Sequence, residues 1–204
     1  MVFLSHCLLN HNVRYLGGAD PQAGARDLVD GYLAAGVGIC QMPCPEQRAW
    51  GGVLKRRMLL AYGAGGSWRA PVVRGLVGLF VTYTRLVYAR LAREVAAQVA
   101  DYRDSGVDVV GVVGIAGSPS CGVETTLDLP AAVDVLCRCP LARLDERVVR
   151  NEAVEAHTLP GQGLFVTALQ REFTRRGLGV RFDEYDFAAS PGSGSAPMSP
   201  GQEE

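Results

Sequence analysis

Apolar residues in this chain form short runs that alternate with stretches of helical periodicity. Val2–Leu4 is wholly apolar and predicts a first strand. Asp27–Ala35 predicts a helix that ends at Gly36, and Val37–Ile39 predicts a second strand. A strand, a helix and a strand in succession make a β-α-β unit, which indicates a parallel sheet.

The rest of the chain continues this alternation. Residues 45–75 are rich in Gly and Arg and predict a loop, with a short helix near Met58–Tyr62. Apolar residues from Leu76 onward keep a period of about 3.6, which predicts one long helix or two as far as Arg103, ended by Gly106. The remaining predicted elements are strands at Val107–Ile115, Ala131–Leu136 and Val180–Phe182, and an amphipathic helix that opens at Pro160–Gly163 and runs to about Arg176.

Length and composition predict one domain with a tail. The chain has 204 residues, of which 48% are hydrophobic, and a mean hydropathy of +0.11, so it can bury a sizeable core. Residues 189–204 are dominated by Ser, Gly and Pro, which cannot form a core. We therefore expect an α/β domain over residues 1–188 and a disordered segment at 189–204.

Charge and hydropathy limit the classes of partner. The formal net charge is −1, which does not favour nucleic acid, although Lys55-Arg56-Arg57 could form a local basic patch. The start of the chain lacks the basic region of a signal peptide. Its longest apolar stretch, Gly75–Thr84, falls short of the roughly 20 residues of a bilayer span. We expect a cytoplasmic protein without a membrane partner, in which cysteines stay reduced.

Three of the six cysteines lie just past the ends of predicted strands. They are Cys7, Cys44 and Cys121, and proline or glycine flanks the last two. Ligands of an open α/β sheet bind beyond the carboxyl ends of its strands, so three thiols can meet at one edge. Three soft ligands without an evident fourth indicate a metal centre with one open position. Their spacing matches no zinc finger or ferredoxin, and the alternative is buried, inert thiols.

The sequence gives less support for metal binding by the other three cysteines. Cys40 lies within the second predicted strand, which places it in the core. Cys137 and Cys139 form a Cys-x-Cys pair before Pro140, but no further ligands are nearby in the sequence.

Polar residues beside the three cysteines are candidates for binding and proton transfer. Glu46 follows Cys44 by two residues and can orient or deprotonate a water, although an exposed loop glutamate is the alternative. Ser118 and Ser120 can hydrogen-bond a substrate, or can simply belong to a Ser-Pro turn. Further candidates for substrate binding are Asn10 and Arg14 after Cys7, and Gly161, Gln162 and Gly163, whose free backbone N–H groups would open the last helix.

Four motifs together resemble the thiouracil desulfidases of the TudS type. They are Cys-Leu-Leu-Asn-His-Asn-Val-Arg-Tyr-Leu-Gly-Gly at 7–18, Cys-Pro-Glu at 44–46 followed by Gly51-Gly52, Ser-Pro-Ser-Cys-Gly at 118–122, and Pro-Gly-Gln-Gly at 160–163. The resemblance spans residues 1 to about 187. The chain differs from the commoner pattern at 47–50, 53–90 and 123–158.

The resemblance implies a Rossmann-like three-layer α/β domain with a mostly parallel sheet and a [4Fe-4S] cluster on Cys7, Cys44 and Cys121. One iron of that cluster would lack a protein ligand. The family's catalytic glutamate and serine correspond to Glu46 and Ser118. The implied reaction is a non-redox desulfuration of a small thiolated compound such as a thiobase or nucleoside, in which the open iron captures the sulfur and water oxygen replaces it.

Two other functions fit the same residues. The substrate could be a thiolated nucleoside within tRNA, although the near-neutral charge makes a nucleic-acid partner unlikely. Alternatively, the cysteines could belong to a structural zinc or iron–sulfur module, closed by a fourth ligand such as His6 or His157.

Overall fold

Four short parallel strands form the central sheet of the protein. The structure, a computed structural model, describes residues 1–14, 25–53, 55–57, 68, 70–143 and 148–187. These strands are β1 (Val2–Leu4), β2 (Ile39–Gln41), β3 (Gly111–Ile115) and β6 (Phe182–Tyr185). Their order in the sheet is β2-β1-β3-β6, and each neighbouring pair is parallel. The predicted α/β class with a mostly parallel sheet is confirmed.

Helices cover both faces of this sheet, as a three-layer α/β fold requires. On one face, Phe3 and Val112 belong to a large core with the long helix, whereas Val2, Leu4 and Val113 face a smaller core on the other. Successive strand residues point to opposite faces, so both faces of β1 are buried. The helices are α1 (His6–Leu9), α2 (Arg26–Ala34), α3 (Pro45–Trp50), α4 (Ala70–Asp104), α5 (Leu129–Arg138) and α6 (Leu164–Arg175).

Two strands begin later than the sequence predicts because helix caps use their first residues. The N–H of Val37 bonds to the carbonyl of Tyr32 at 2.9 Å, and Gly36 adopts a φ of +70°. In the same way, the N–H of Val107 bonds to the carbonyl of Tyr102 at the end of α4, and Gly106 adopts a φ of +77°. Each valine therefore completes a helix end rather than the sheet, and β2 and β3 begin only at Ile39 and Gly111.

The prediction of a strand at Ala131–Leu136 is wrong, because this segment lies in α5. The Asp128 side chain caps the helix by accepting the N–H of Ala131 at 3.1 Å, and Pro130 occupies its first turn. The buried residues follow helical spacing rather than alternation; they are Leu129, Ala132, Val133, Leu136 and Cys137.

The segment around α5 is inserted into a two-stranded antiparallel sheet. Its strands are β4 (Thr125–Leu127) and β5 (Thr158–Pro160), and Thr125 pairs with Pro160. Between them, α5 is followed by a π-helical segment at Val148–Val154 and a 3-10 turn at Glu155–His157. This small sheet joins the end of the Cys121 loop to the start of α6.

Several other predictions differ from the structure or concern residues that the structure does not describe. Residues 45–75 are not simply a loop, because α3 occupies Pro45–Trp50, and the last strand begins only at Phe182. Residues 76–103 belong to one continuous helix. The predicted helix at 58–62 and the predicted tail at 189–204 lie outside the described residues. No helix in the described ranges is both long and apolar enough to span a bilayer.

Candidate metal centre

Cys7, Cys44 and Cys121 lie at one edge of the sheet, as predicted. Cys7 is in the first turn of α1 after β1, Cys44 is the N-cap of α3 after β2, and Cys121 lies in the turn that follows β3. These three strands are neighbours in the order β2-β1-β3. The chain passes to β2 on one side of β1 and to β3 on the other, and such a switch point opens a crevice for ligands.

The three thiols interact with one another. Cys7 donates a hydrogen bond to the sulfur of Cys44, which raises the pKa of Cys7 and lowers the pKa of Cys44. Burial raises the pKa of Cys121 to about 12, and the charges of Glu46 and Cys44 add to this effect, while the Ser5 hydroxyl acts against it. The raised pKa values keep Cys7 and Cys121 as neutral thiols, and a positively charged group at this edge would favour their thiolate forms.

The chemistry of these donors fits an iron–sulfur cluster and also a single thiophilic ion such as zinc. Three thiols form a soft ligand set of the kind that binds such clusters. Among the described residues, no three His, Cys, Asp or Glu side chains form a group that could hold a metal ion directly. All six cysteines are free thiols.

The other three cysteines lie away from this edge. Cys40 packs beside the large core and interacts with Gln98 of α4. Cys137 is fully buried in that core, and Cys139 ends α5, where its thiol donates to the carbonyl of Pro140. None of these contacts involves the three thiols at the sheet edge.

Glu46 is part of a chain of buried polar groups beside the thiols. Its Oε1 accepts a hydrogen bond from Ser120 Oγ at 3.1 Å, and Ser120 Oγ lies 2.7 Å from the hydroxyl of Tyr88. Its Oε2 forms an ion pair with the ammonium of Lys55. Burial is the largest single effect and lowers the pKa of Lys55, but the charge and hydrogen bond of Glu46, together with the charges of Cys7 and Cys44, outweigh it. The net pKa of Lys55 is therefore raised, and the ammonium stays protonated.

Lys55 reaches Glu46 because the chain folds back over α3. Gly51 and Gly52 adopt φ angles of +92° and +86°, which are open to glycine. The N–H of Lys55 then bonds to the carbonyl of Gly52 at 2.9 Å, and the N–H of Arg57 bonds to that of Trp50 at 2.9 Å. Lys55 itself has a φ of +47° and is 9% exposed. A strained, buried lysine beside a carboxylate is typical of a functional site.

The loop of Cys121 is seated on the N-terminus of α6. The N–H of Leu164 bonds to the carbonyl of Pro119 at 2.9 Å, and those of Phe165 and Val166 bond to the carbonyl of Ser120 at 3.0 and 3.1 Å. Two loop carbonyls thus satisfy donors that a helix start leaves without partners.

The expectation of free N–H groups at 161–163 is therefore wrong for two of the three residues. Gly161 donates to the carbonyl of Glu124 at 2.8 Å, and Gly163 donates to that of Gly122 at 3.0 Å. Gln162 is exposed at this turn. The motif holds the cysteine loop, and its role in substrate binding stays a prediction.

Glycines allow the loop to be held at close range. A Cβ on Gly163 would lie 2.5 Å from the carbonyl group of Ser120, and a Cβ on Gly122 would lie 1.9 Å from the carbonyl oxygen of Thr125. A Cβ on Gly114 of β3 would lie 2.1 Å from the carbonyl oxygen of Cys121. All three obstacles are backbone atoms, so a side chain at any of these positions would displace the loop.

Two side chains also hold the backbone of this loop. Ser118 Oγ accepts the N–H groups of Ser120 and Cys121 at 3.3 and 3.0 Å. Glu184 of β6 accepts the N–H groups of Val123, Glu124 and Thr125 at 2.6–3.2 Å. Ser118 therefore shapes the turn, whereas Ser120 is the serine in contact with Glu46.

Asn10 and Arg14 make contacts in the segment that follows α1. Asn10 Oδ1 accepts the backbone N–H of Asn12 at 3.2 Å and caps a 3-10 turn at His11–Val13. The guanidinium of Arg14 lies 4.2 Å from the ring centre of Phe187. These contacts do not bring either residue to the three thiols, and their role in substrate binding stays a prediction.

Sequence reasoning missed three residues that complete this site: Lys55, Tyr88 and Glu184. The pair Gly51-Gly52 was a signal that the chain turns back after α3. Tyr88 and Glu184 carry no such signal, because their partners are 32 and about 60 residues away in the chain.

Comparisons with protein-family models, curated proteins and solved structures found nothing similar to this chain. The resemblance to thiouracil desulfidases therefore rests on the four motifs.

Replacement of Gly163 by alanine tests the close packing of the Cys121 loop against the N-terminus of α6. Gly163 has a φ of −64°, which alanine adopts freely, so the cost is steric contact with Ser120. We expect Gly163→Ala to lower the free energy of unfolding by about 1–3 kcal/mol and to increase the reactivity of Cys121 towards a thiol reagent. Gly179→Ala is the control, because its Cβ would meet nothing within 4 Å. Equal stability of the two variants in denaturant titration would contradict the packing described.

Replacement of Lys55 by methionine tests the buried ion pair. Its removal leaves the Glu46 carboxylate buried without its cation, and we expect a loss of about 3 kcal/mol in unfolding free energy. The double variant Lys55→Met/Glu46→Gln should recover most of this loss, because it removes both charges. Arg90→Met provides a matched control, since the Arg90–Glu94 pair is 78% and 55% exposed and should contribute under about 0.5 kcal/mol. A double variant no more stable than Lys55→Met would refute the pairing.

Proposed function

We propose that this protein is an iron–sulfur-dependent desulfidase for a small thiolated compound of the thiouracil type. The observation that supports the proposal best is the meeting of Cys7, Cys44 and Cys121 with Glu46 at one edge of a parallel sheet. The four motifs in family order support it independently.

The three cysteines would hold a [4Fe-4S] cluster and leave one iron without a protein ligand. When bound, that cluster supplies a thiophilic Lewis acid, which polarises the carbon–sulfur bond of the substrate. Cys44 and Cys121 are 4% and 7% exposed, whereas Cys7 is only half-buried. The side of Cys7 therefore offers the substrate its approach.

Glu46 is the residue that would act on water. Lys55 holds one carboxylate oxygen and Ser120 the other, so the group has a set position next to the thiols. A carboxylate in this position can accept a proton from a water that attacks the substrate. Tyr88 holds Ser120 from the core side at 2.7 Å. Ser118 keeps its hydroxyl hydrogen for a substrate, since its oxygen accepts the two loop N–H groups.

The overall reaction is balanced without an electron donor. Water attacks the thiocarbonyl carbon, a carbon–oxygen bond forms and the carbon–sulfur bond breaks. Glu46 takes one proton from the water and returns it, so that the products are a carbonyl compound and hydrogen sulfide. The oxidation state of the carbon does not change.

Metal analysis tests the cofactor. Protein purified without oxygen should be brown and contain about four iron and four acid-labile sulfide per chain. Substitution of Cys121 by serine should reduce the iron content, whereas the same change at Cys139 should not. Colourless protein with bound zinc, even after anaerobic reconstitution with iron and sulfide, would exclude the proposed cofactor.

Substitution of Glu46 separates catalysis from cofactor binding. Glu46→Gln removes the proton acceptor and keeps the shape of the side chain, so sulfide release from 2- or 4-thiouracil should fall by about 10²–10⁴-fold while the iron content persists. Glu124→Gln changes an exposed carboxylate near the same loop and should leave the rate unchanged. An unchanged rate in Glu46→Gln, measured at equal iron content, would remove Glu46 from the mechanism.

A further inference from the structure

The first half of α4 exposes a stripe of large apolar side chains. Val72, Leu76, Leu79, Tyr83 and Leu86 are 57%, 53%, 68%, 39% and 69% exposed. Their spacing of four, three, four and three residues places them on one side of the helix. We call these five residues the leucine stripe; it extends along roughly 20 Å of helix.

The leucine stripe lies on the side of α4 that faces away from the core. Thr84, Tyr88, Leu91 and Val95 of the same helix are buried against the rest of the domain. In the first half of α4, Val77, Phe80 and Val81 pack against the large core, so this half is apolar on two sides. A helix of this kind normally has a partner on each side, and an exposed apolar patch of this size marks an interaction surface.

Positive charge is concentrated in the same part of the chain. Residues 55–93 contain eight Lys or Arg and no Asp or Glu. The rest of the chain has twelve basic and 21 acidic residues, so the near-zero net charge conceals a strong separation of charge.

Exposed arginines lie at the C-terminal end of the leucine stripe and beside it. Arg90 and Arg93 are exposed and follow Leu86 by four and seven residues, which continues the same side of the helix. Arg90 pairs there with the exposed Glu94 at 3.1 Å, so Arg93 carries the unbalanced charge at this end. The guanidinium of Arg57 donates to the Tyr83 hydroxyl at 2.6 Å and lies 4.8 Å from its ring centre. Trp68, just before the helix, is 80% exposed.

We propose that the leucine stripe and its arginines bind the surface of a membrane rich in anionic phospholipid. Such a surface offers hydrocarbon for the leucines and negative headgroups for the arginines, the pattern of an interfacial amphipathic helix. A second copy would bring two positive surfaces together. RNA-binding surfaces rely on aromatic stacking and phosphate contacts, and three exposed leucines provide neither. The expectation of no membrane partner rested on the lack of a spanning segment, which does not concern a helix that lies on the surface.

Vesicle flotation tests this proposal with the full-length protein. We expect the protein to float with phosphatidylcholine vesicles that contain about 30 mol % phosphatidylglycerol, and to bind pure phosphatidylcholine at least tenfold more weakly. Binding should weaken as salt rises, because salt screens the arginines.

Paired variants identify the residues responsible. Leu79→Gln/Leu86→Gln should weaken binding to anionic vesicles by at least about tenfold, since two leucine side chains lose their burial. Leu33→Gln/Leu159→Gln is the control, with original residues that are 58% and 40% exposed elsewhere. Arg90→Gln/Arg93→Gln should remove most of the preference for anionic lipid, whereas Arg175→Gln/Arg176→Gln at the C-terminal end of α6 should not. Circular dichroism would confirm that every variant is folded.

Three results would overturn the proposal. The first is no flotation with anionic vesicles; a dimer in sedimentation that Leu79→Gln/Leu86→Gln dissociates would then show that a second copy covers the stripe. The second is flotation that the leucine and arginine variants do not change. The third is binding to RNA without binding to vesicles.

Discussion

The site depends on one contact: the carbonyl oxygens of Pro119 and Ser120 accept the first N–H groups of α6. The helix start supplies donors and a partial positive charge, and the loop supplies acceptors that would otherwise be buried without partners. Close approach requires glycine at Gly122 and Gly163, where a Cβ would meet loop backbone. Because Cys121 belongs to this loop, the same contact sets its distance from the cysteines that follow β1 and β2.

Charge balance is the second constraint at this edge of the sheet. Three thiols and Glu46 lie together, and each raises the energy of a negative charge on the others. Lys55 supplies a positive charge within the protein, at the cost of a left-handed backbone and its own desolvation. The turn at Gly51 and Gly52 therefore matters for the charge balance of the site, because it places the Lys55 ammonium beside Glu46.

Helix α4 connects the candidate metal centre with the proposed membrane surface. Tyr88, on its core side, holds Ser120 and through it Glu46. The leucine stripe lies on its opposite side. A bound membrane would therefore contact the same helix that positions Ser120 and, through it, Glu46. The two proposals nevertheless rest on different residues, and either can fail without the other.

The sequence by itself determined the local parts of this protein. Apolar runs with glycine-ended helices predicted the parallel α/β sheet, and strand-end cysteines predicted where the thiols lie, because both signals depend on neighbours in the chain. It misjudged Ala131–Leu136, where Asp128 and Pro130 start a helix, and the first residues of two strands, which cap helices instead. Only the tertiary structure decided that Lys55 pairs with Glu46 and that Tyr88 hydrogen-bonds to Ser120. It also decided that loop carbonyls accept the first N–H groups of α6. These contacts join residues far apart in the chain, and their geometry exists only after the sheet and helices have packed.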